Sequence, residues 1–343
     1  MKRLLNTLYV TGTNRYLSLD GENVVVLEER DEIGRIPLHN LQSIVTFGYT
    51  GASPALMGAC AQRNIDLTFM SGNGRFLARV TGEVKGNVTL RKQQYRVSED
   101  KEKSISIARN FIFGKVYNAR WILERAARDY PLRLDVDKLK EKSSFLYNSL
   151  QEIRTCGEAS KLLGLEGEAA SVYFSMFDQL ILQQKEYFTF RERSRRPPLD
   201  NVNAMLSFAY SLLAGMCGSA LEAVGLDPYV GFYHTDRPGR ISLALDVMEE
   251  LRGVMADRFV LTLINRRIVK KDHFIQKENG AVILDDSGRK LFLNAWQERK
   301  QDIIKHPFLN EKIEWGMVPH VQAMLLARYL RGDLDEYPPF LWK

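Results

Sequence analysis

Residues 87–130, NVTLRKQQYRVSEDKEKSISIARNFIFGKVYNARWILERAARDY, mark the point at which the sequence changes from a strand-like to a helical pattern. From about residue 104 to residue 130, apolar side chains recur three or four positions apart, as on the buried face of an amphipathic helix. These residues are Ile105, Ala108, Phe111, Ile112, Val116, Ala119, Ile122 and Leu123. The stretch therefore predicts a long helix packed against a core, with a structural boundary between residues 84 and 100.

Short strands are predicted before this boundary. Residues 8–10, 16–19, 23–27, 34–37, 42–47, 66–70 and 75–80 are β-branched, aromatic or alternating in polarity. One helix is expected to begin after Ser53, a favourable N-cap, with Pro54 at its first position. Gly72-Asn73-Gly74 predicts a hairpin turn between the last two strands. A phosphate-binding loop is the alternative interpretation of these glycines, but no helix follows them.

The rest of the sequence is predicted to be mostly helical. Helices are expected over residues 135–154, 157 to about 182, 201–224, 243 to about 271, 291–304 and 318–331, with a hairpin at residues 274–284. Residues 333–343 are expected to form a loose or docking segment. The predicted fold class is α+β, with a small N-terminal β-rich domain (residues 1–90) followed by a larger, mostly α-helical domain (residues 91–343).

The composition is that of a folded, mildly basic protein. Apolar residues make up 45% of the chain, and 48 lysines and arginines outnumber 42 aspartates and glutamates, giving a net charge of +6. Cys60, Cys156 and Cys217 form no CxxC pair, which argues against a cysteine-based zinc site and suits a reducing compartment. No run of 18 apolar residues occurs, so no membrane span is expected and the predicted location is cytoplasmic.

Three segments carry residues suited to metal or acid–base chemistry. Glu166 lies among glycines at a predicted helix start, where it either binds a ligand or only complements the helix dipole. His234 follows an aromatic run in a loop rich in glycine and proline, where ligand-binding residues often lie. Asp246, Glu249 and Glu250 share one face of a predicted helix, either around a cation or as a solvated acidic face.

Together these segments offer one imidazole and several carboxylates. Mixed oxygen and nitrogen ligands suit Mg²⁺ or Mn²⁺ better than zinc. Such an ion can polarise a phosphodiester, activate a hydroxyl nucleophile and stabilise the leaving oxygen. Spacing alone leaves open whether the three segments meet in space.

Two basic clusters predict contact with nucleic acid. Residues 191–196 hold four arginines beside two prolines, and residues 266–271 hold four basic residues. Such runs are commonly solvated surfaces, but arginine-dense loops bounded by proline favour phosphate binding. No alternation of aromatic and basic residues indicates base reading. The expected DNA contacts are Arg191, Arg193, Arg195, Arg196, Arg237, Arg266 and Arg267.

The same residues resemble a known family, the CRISPR-associated adaptation integrase that captures DNA for those systems. Four blocks match in order: residues 164–170 with Tyr173-Phe174, residues 195–200 continuing through residues 203 and 207–210, residues 231–234, and residues 246–249. The β-rich opening also resembles that of the family, so the resemblance covers nearly the whole chain. Residues 233–238 resemble the type I-C form.

The resemblance implies a divalent-metal-dependent integrase or endonuclease whose catalytic site lies in the helical domain. It maps metal ligands onto Glu166, His234 and Glu249, with Asp246 as a further catalytic residue, and implies Mg²⁺ or Mn²⁺ as cofactor. Many members have aspartate at the position of Glu249, whose longer arm changes how the metal is reached. The implied reaction is attack of a captured DNA 3′-hydroxyl on a phosphate at the CRISPR repeat.

The resemblance also implies partners. These are double-stranded DNA (the captured fragment and the CRISPR repeat), a second copy of the chain in a homodimer formed largely through the β domains, and a small ferredoxin-like subunit that bridges two dimers. The sequence adds one argument for dimerisation, since Val24-Val25-Val26-Leu27 is apolar on both faces of a predicted strand and needs cover.

Two other functions stay open at this point. The first is a stand-alone metal-dependent nuclease on branched DNA, in which water replaces the hydroxyl nucleophile. The second is a non-catalytic nucleic-acid-binding scaffold, which needs no metal.

Overall fold

The computed structural model describes residues 7–12, 14–48, 50–71, 76–80 and 88–343, and its N-terminal region consists of strands with one helix. The helix is α1 (Pro54–Arg63), and the Ser53 side chain accepts a hydrogen bond from the Leu56 amide, so the predicted N-cap is confirmed. The predicted turn at residues 72–74 lies outside the described residues. The strands are β1 (Thr7–Thr11), β2 (Arg15–Asp20), β3 (Asn23–Glu28), β4 (Asp31–Pro37), β5 (Ser43–Phe47), β6 (Gly51–Ala52), β7 (Asp66–Met70) and β8 (Phe76–Val80).

These strands form two four-stranded sheets. The first has the order β1-β5-β7-β8, in which β1, β5 and β7 are parallel and β8 is antiparallel to β7. The second has the order β4-β3-β2-β6. Val24, Val25 and Val26 of β3 are all buried within the single chain. The argument that this strand needs cover from a second copy is therefore wrong, and the homodimer rests on the resemblance alone.

The helical region follows and confirms the predicted fold class. The long helix expected from residue 104 begins slightly earlier, at Lys101, because the Asp100 side chain accepts hydrogen bonds from the amides of Glu102 and Lys103. The helices are α2 (Val88–Glu99), α3 (Lys101–Asp129), α4 (Val136–Thr155), α5 (Ala159–Ser175), α6 (Asn201–Ala223), α7 (Ser242–Leu251), α8 (Arg258–Asn265), α9 (Asp286–Gln301) and α10 (Val318–Arg331).

Several predicted boundaries are wrong. The helix expected over residues 243 to about 271 ends at Asn265, and its middle, Arg252–Asp257, is π-helical. The helix expected to reach about residue 182 ends at Ser175 and is followed by a 3₁₀ turn. The helix expected at residues 291–304 begins at Asp286, because the Asp285 side chain caps the Gly288 amide. Ile303–Lys305 forms instead strand β11, paired with β12 (Lys312–Glu314).

The remaining hairpin and the tail follow the predictions more closely. β9 (Phe274–Gln276) and β10 (Val282–Leu284) form the expected hairpin. Residues 333–343 dock on the chain's own helices, with Tyr337 and Phe340 almost fully buried. The Asn118 side chain on α3 donates to the Phe340 carbonyl at 2.7 Å and accepts from the Trp342 amide at 2.9 Å. The tail is therefore part of the helical core.

The sheet region and the helical region share apolar packing. Phe47 on β5 contacts Phe208 on α6, with ring centroids 5.9 Å apart, and Met70 joins the same core cluster. Arg79 on β8 forms one ion pair with Asp66 within the sheet region and another with Glu222 on α6, which links the two regions. The division into separate domains at residues 1–90 and 91–343 stays a prediction.

Helix α6 runs through this core. Its length and hydropathy would suffice to cross a membrane, a property shared by buried core helices. Over half of its most apolar window is buried by the surrounding helices. It therefore acts here as the central packing helix, with the candidate site on the α3 and α7 side of it.

Candidate active site

Glu166, Glu249 and Lys115 meet at a small, mostly enclosed site. The Lys115 ammonium group on α3 contacts Glu166 Oε1 on α5 and lies 2.6 Å from Glu249 Oε2 on α7. The side chains of Lys115, Glu166 and Glu249 are 11%, 17% and 7% exposed. Three helices far apart in sequence thus place two carboxylates on one cation. Glu166 lies about two turns into α5, so its reading as a helix-dipole residue at a helix start is wrong.

His234 is held next to this pair by Asp246. Asp246 Oδ1 accepts from the His234 backbone amide at 2.9 Å and lies 2.7 Å from its Nδ1. Asp246 Oδ2 accepts from the amides of Phe232 and Tyr233 at 2.7 and 3.0 Å. The residue 231–234 loop therefore wraps around the buried Asp246 carboxylate. The carboxylate also favours a proton on His234 Nδ1, which leaves a free lone pair on Nε2.

Gly231 makes this wrapping possible. A Cβ atom there would stand 2.8 Å from the His234 carbonyl oxygen and 2.9 Å from Asp246 Oδ2, closer than side chains tolerate. The loop thus closes on Asp246 only because this position has no side chain. The predicted glycine-rich histidine loop is confirmed, and Asp246 positions the histidine.

Glu249 is kept ionised by two cations. Burial alone would raise the pKa of its carboxyl, but Arg252 and Lys115 hold that pKa well below its usual range, and His234 acts in the same direction. Arg252 Nη1 donates to both Glu249 oxygens at 3.1 Å. A negative charge is therefore maintained at this enclosed position.

Arg252 is itself fixed by the π-helical segment. Its guanidinium lies over the Tyr210 ring, 4.4 Å from the centroid, and the Tyr210 hydroxyl donates to Asp257 Oδ1 at 2.5 Å. A π-helical turn often marks a functional site because it redirects side chains. Arg252 and Asp257 are the first and last residues of this segment, and Tyr210 contacts both of them.

Glu250 and Glu168 lie outside this cluster. Glu250 is fully buried and accepts hydrogen bonds from the Gln322 side chain, the Tyr337 hydroxyl and the Phe340 amide, all on α10 or the tail. Burial raises the pKa of Glu250 to about 7. Glu168 is exposed. The alternative reading of Asp246, Glu249 and Glu250 as a solvated acidic face is wrong, because all three are buried.

Three further site residues were not predicted. Lys115 nevertheless carries a detectable signal, because it is a lysine between Gly114 and Val116 on an apolar helix face. The Tyr233 hydroxyl donates to Glu166 Oε2 at 3.4 Å, and burial together with Glu166 raises the Tyr233 pKa. Arg252 lies three residues after Glu249, a spacing at which opposite charges pair on a helix, so this contact was detectable in the sequence.

The donor set suits a hard divalent cation. Two carboxylates already converge on a positive charge, and an imidazole with an anchored Nδ1 stands beside them. Within the described part of the chain, however, no three His, Cys, Asp or Glu side chains form a ready metal-binding group. Lys115 fills the space between the carboxylates, so an ion fits there once that ammonium group has moved away.

The basic residues expected to contact DNA differ in placement. Arg191, Arg195, Arg196, Arg237, Arg266 and Arg267 are exposed. Arg193 points inward and donates to Asn203 Oδ1 at 2.6 Å and to Ser207 Oγ at 3.1 Å. Its guanidinium also lies over Tyr210. Arg193 therefore fixes the residue 191–200 loop to α6 in this conformation, whereas its neighbours face solvent.

Comparison with known proteins gives consistent matches over the chain. The family model for CRISPR associated protein Cas1 matches residues 8–298. Over the full length of both chains, the sequence is 51% identical to CRISPR-associated endonuclease Cas1 2 of Rhodospirillum rubrum and 49% identical to CRISPR-associated endonuclease Cas1 1 of Chlorobaculum tepidum.

Solved structures share the fold. A casposase bound to integration product has a TM-score of 0.84 at 24% identity, covering 98% of this chain and 94% of that one. A Cas1 protein from Thermotoga maritima has a TM-score of 0.79 at 24% identity, covering 95% and 97%. A Cas6-RT-Cas1–Cas2 complex has a TM-score of 0.83 at 22% identity, covering all of this chain and 36% of that one.

Proposed function

The chain belongs to the Cas1 family of CRISPR-associated endonucleases, and from this premise we propose that it is a divalent-metal-dependent DNA integrase. It joins captured DNA 3′ ends to the CRISPR repeat by phosphodiester transesterification. The supporting observation is the meeting of Glu166 and Glu249 on one cation, with His234 anchored beside them by Asp246.

Glu166, Glu249 and His234 Nε2 would hold Mg²⁺ or Mn²⁺. When bound, such an ion supplies charge neutralisation at the phosphodiester and activation of the attacking hydroxyl. The chain's own residues prepare this site. Arg252 keeps Glu249 ionised, Asp246 keeps the lone pair of Nε2 available, and burial of the cluster strengthens its electrostatics by excluding water.

The exposed arginines of residues 191–196 and 266–267, with Arg237, form the proposed DNA-binding surface. Arg195 and Arg196 are solvent-facing and carry no ion pair among the described residues, so both are available to phosphates. Each phosphate contact contributes about −0.9 to the slope of log K against log salt. Replacing Arg195 and Arg196 with alanine should flatten that slope, and an unchanged slope would place the DNA elsewhere on the protein.

The proposed assembly is a homodimer in the cytoplasm, with contacts largely through residues 7–80 and a small ferredoxin-like subunit bridging two dimers. A solved Cas6-RT-Cas1–Cas2 complex that shares the fold supports, by analogy, assembly with a second, different subunit. Light scattering should give twice the monomer mass, and hydrogen exchange at high against low concentration should show protection in residues 7–80. Protection confined to the helices would refute the β-region contact.

The type I-C assignment predicts type I-C genes next to the coding sequence.

The decisive experiment uses a supercoiled plasmid that carries a repeat, labelled DNA fragments and Mg²⁺ or Mn²⁺. We expect strand joining by the wild-type protein and none by Glu166→Ala, His234→Ala or Glu249→Ala, each of which should remain folded. Asp286→Ala serves as a control that should join DNA normally, because Asp286 is an exposed carboxylate at the start of α9 that pairs with Arg289 and not with any residue of the site. Cutting without joining would support the stand-alone nuclease, and metal-independent binding without product would support the scaffold.

A further inference from the structure

We propose that Lys115 is a built-in competitor for the divalent metal. Its ammonium group neutralises Glu166 and Glu249 in the metal-free protein and leaves when the ion enters, so Lys115 sets the metal affinity of the site. This inference rests on the proposed function, because it assumes that these two carboxylates hold the metal.

The first support is the geometry of the contact. Lys115 Nζ touches one oxygen of each carboxylate, at Glu166 Oε1 and Glu249 Oε2. Two carboxylates brought this close repel each other unless a cation lies between them. A divalent ion and an ammonium group cannot share that position, because like charges at contact distance repel strongly in an enclosed site.

The close packing of α3 on α7 holds Lys115 in this position. At Gly114, a Cβ atom would stand 2.9 Å from the Glu250 Cβ and 3.3 Å from the Pro339 Cβ. The backbones therefore approach more closely than any side chain at position 114 would allow. As a result, Lys115, which follows Gly114 on α3, reaches Glu249, which precedes Glu250 on α7.

Lys115, rather than Arg252, is the cation that can leave. Arg252 is fixed by both Glu249 oxygens and by the Tyr210 ring. Lys115 carries a flexible four-carbon stem and borders a cleft between α3, α5 and the π-helical segment, lined by Ala169, Ala170, Tyr173 and Phe174. Its ammonium group can therefore move by rotation about the bonds of this stem, whereas the Arg252 guanidinium is held by Glu249 and Tyr210.

The test measures Mn²⁺ binding by electron paramagnetic resonance, without DNA. Lys115→Met removes the competitor and should bind Mn²⁺ about 10- to 100-fold more tightly, the range expected when ionic hydrogen bonds no longer have to be broken. Lys115→Arg keeps a cation and should not show this gain. Lys140→Met removes one charge from a surface ion pair with Glu124 and is the matched control, expected to bind as wild type.

The outcomes separate this inference from the proposed function. If Lys115→Met binds Mn²⁺ no more tightly than wild type while Glu166→Gln loses binding, only the role of Lys115 is overturned. Wild-type Mn²⁺ binding by both Glu166→Gln and Glu249→Gln would instead overturn the metal site itself.

A second measurement uses the wild-type protein and covers the case in which Lys115→Met does not fold. Lysines are labelled with an amine-reactive reagent in EDTA and in Mg²⁺, and modification is quantified by mass spectrometry. Lys115 should become several-fold more reactive in Mg²⁺, while Lys140 should not change. If Lys115 stays protected from the amine-reactive reagent at Mg²⁺ concentrations that saturate the site, the proposed displacement is overturned.

Discussion

Replacing Asp246 with asparagine tests how the histidine is positioned. The carboxylate accepts four hydrogen bonds, three from the backbone amides of residues 232–234 and one from His234 Nδ1. Asparagine has one acceptor oxygen, and its NH₂ group must face donors at the other position. At least one buried backbone N–H therefore loses its partner, whichever way the side-chain amide is turned.

The magnitude follows from that count. A buried donor left unpaired costs about 1–3 kcal/mol, and the surviving bonds lose their ionic character, so we expect Asp246→Asn to lower the free energy of unfolding by about 2–4 kcal/mol. If the NH₂ group faces Nδ1, that nitrogen must become the acceptor. The ring proton then moves to Nε2 and removes the lone pair that a metal needs.

The functional effect should be a loss of metal affinity. A partner that orients a metal-binding histidine typically contributes about 10- to 100-fold. Strand transfer by Asp246→Asn should therefore be slow and partly restored by raising Mn²⁺, whereas Glu249→Gln, which removes a proposed ligand, should stay inactive. The assays are urea unfolding and the strand-transfer rate as a function of Mn²⁺ concentration.

Asp236→Asn is the matched control. Asp236 is exposed in the same loop and accepts one long hydrogen bond, from the Gly231 amide at 3.3 Å. We expect it to change stability by less than about 0.5 kcal/mol. The reasoning is refuted if Asp246→Asn is as stable as wild type. If Asp246→Asn stays inactive at all Mn²⁺ concentrations while Glu249→Gln is rescued, their two roles are reversed.

Three further predictions concern stability and are checked by urea unfolding. Burial lowers the pKa of Lys300 to about 8 in the folded protein. Between about pH 8 and 10.5 the unfolded state therefore binds more protons than the folded state, so the free energy of unfolding rises with pH. Lys300→Met should raise the free energy of unfolding by at most about 3 kcal/mol at pH 7, and by less at pH 9.5. The pKa of Glu250 is raised to about 7, so the free energy of unfolding should fall as pH rises from about 5 to 7. Glu250→Gln should remove this fall, and an equal pH dependence of stability in the wild type and Glu250→Gln would contradict the prediction. Phe340→Ala should cost about 3–5 kcal/mol because the ring is fully buried, and a loss below 1 kcal/mol would show that the tail is not part of the core.

The sequence by itself determined the fold class and most of the candidate site. Strand composition before residue 84 and helical periodicity after residue 104 reflect local rules, because backbone preference and the burial of one face are set by nearby residues. The loop that carries His234 was identified in the same way. The helix boundaries were less accurate, since the Asp285 cap and the end of α5 depend on contacts that apolar spacing does not report.

Only the tertiary structure decided what each charged residue does. Asp246 and Glu249 lie one turn apart on one helix. The Asp246 carboxylate accepts hydrogen bonds from four donors of the histidine loop, whereas the Glu249 carboxylate pairs with Lys115 and Arg252. Arg193 turns inward while Arg195 and Arg196 face solvent. The physical reason is that a charged side chain takes its role from its partners. Some of those partners are close in the sequence, such as Arg252, which lies three residues after Glu249. Lys115 on α3 is far from Glu166 and Glu249 in the sequence and becomes their neighbour only when the helices pack.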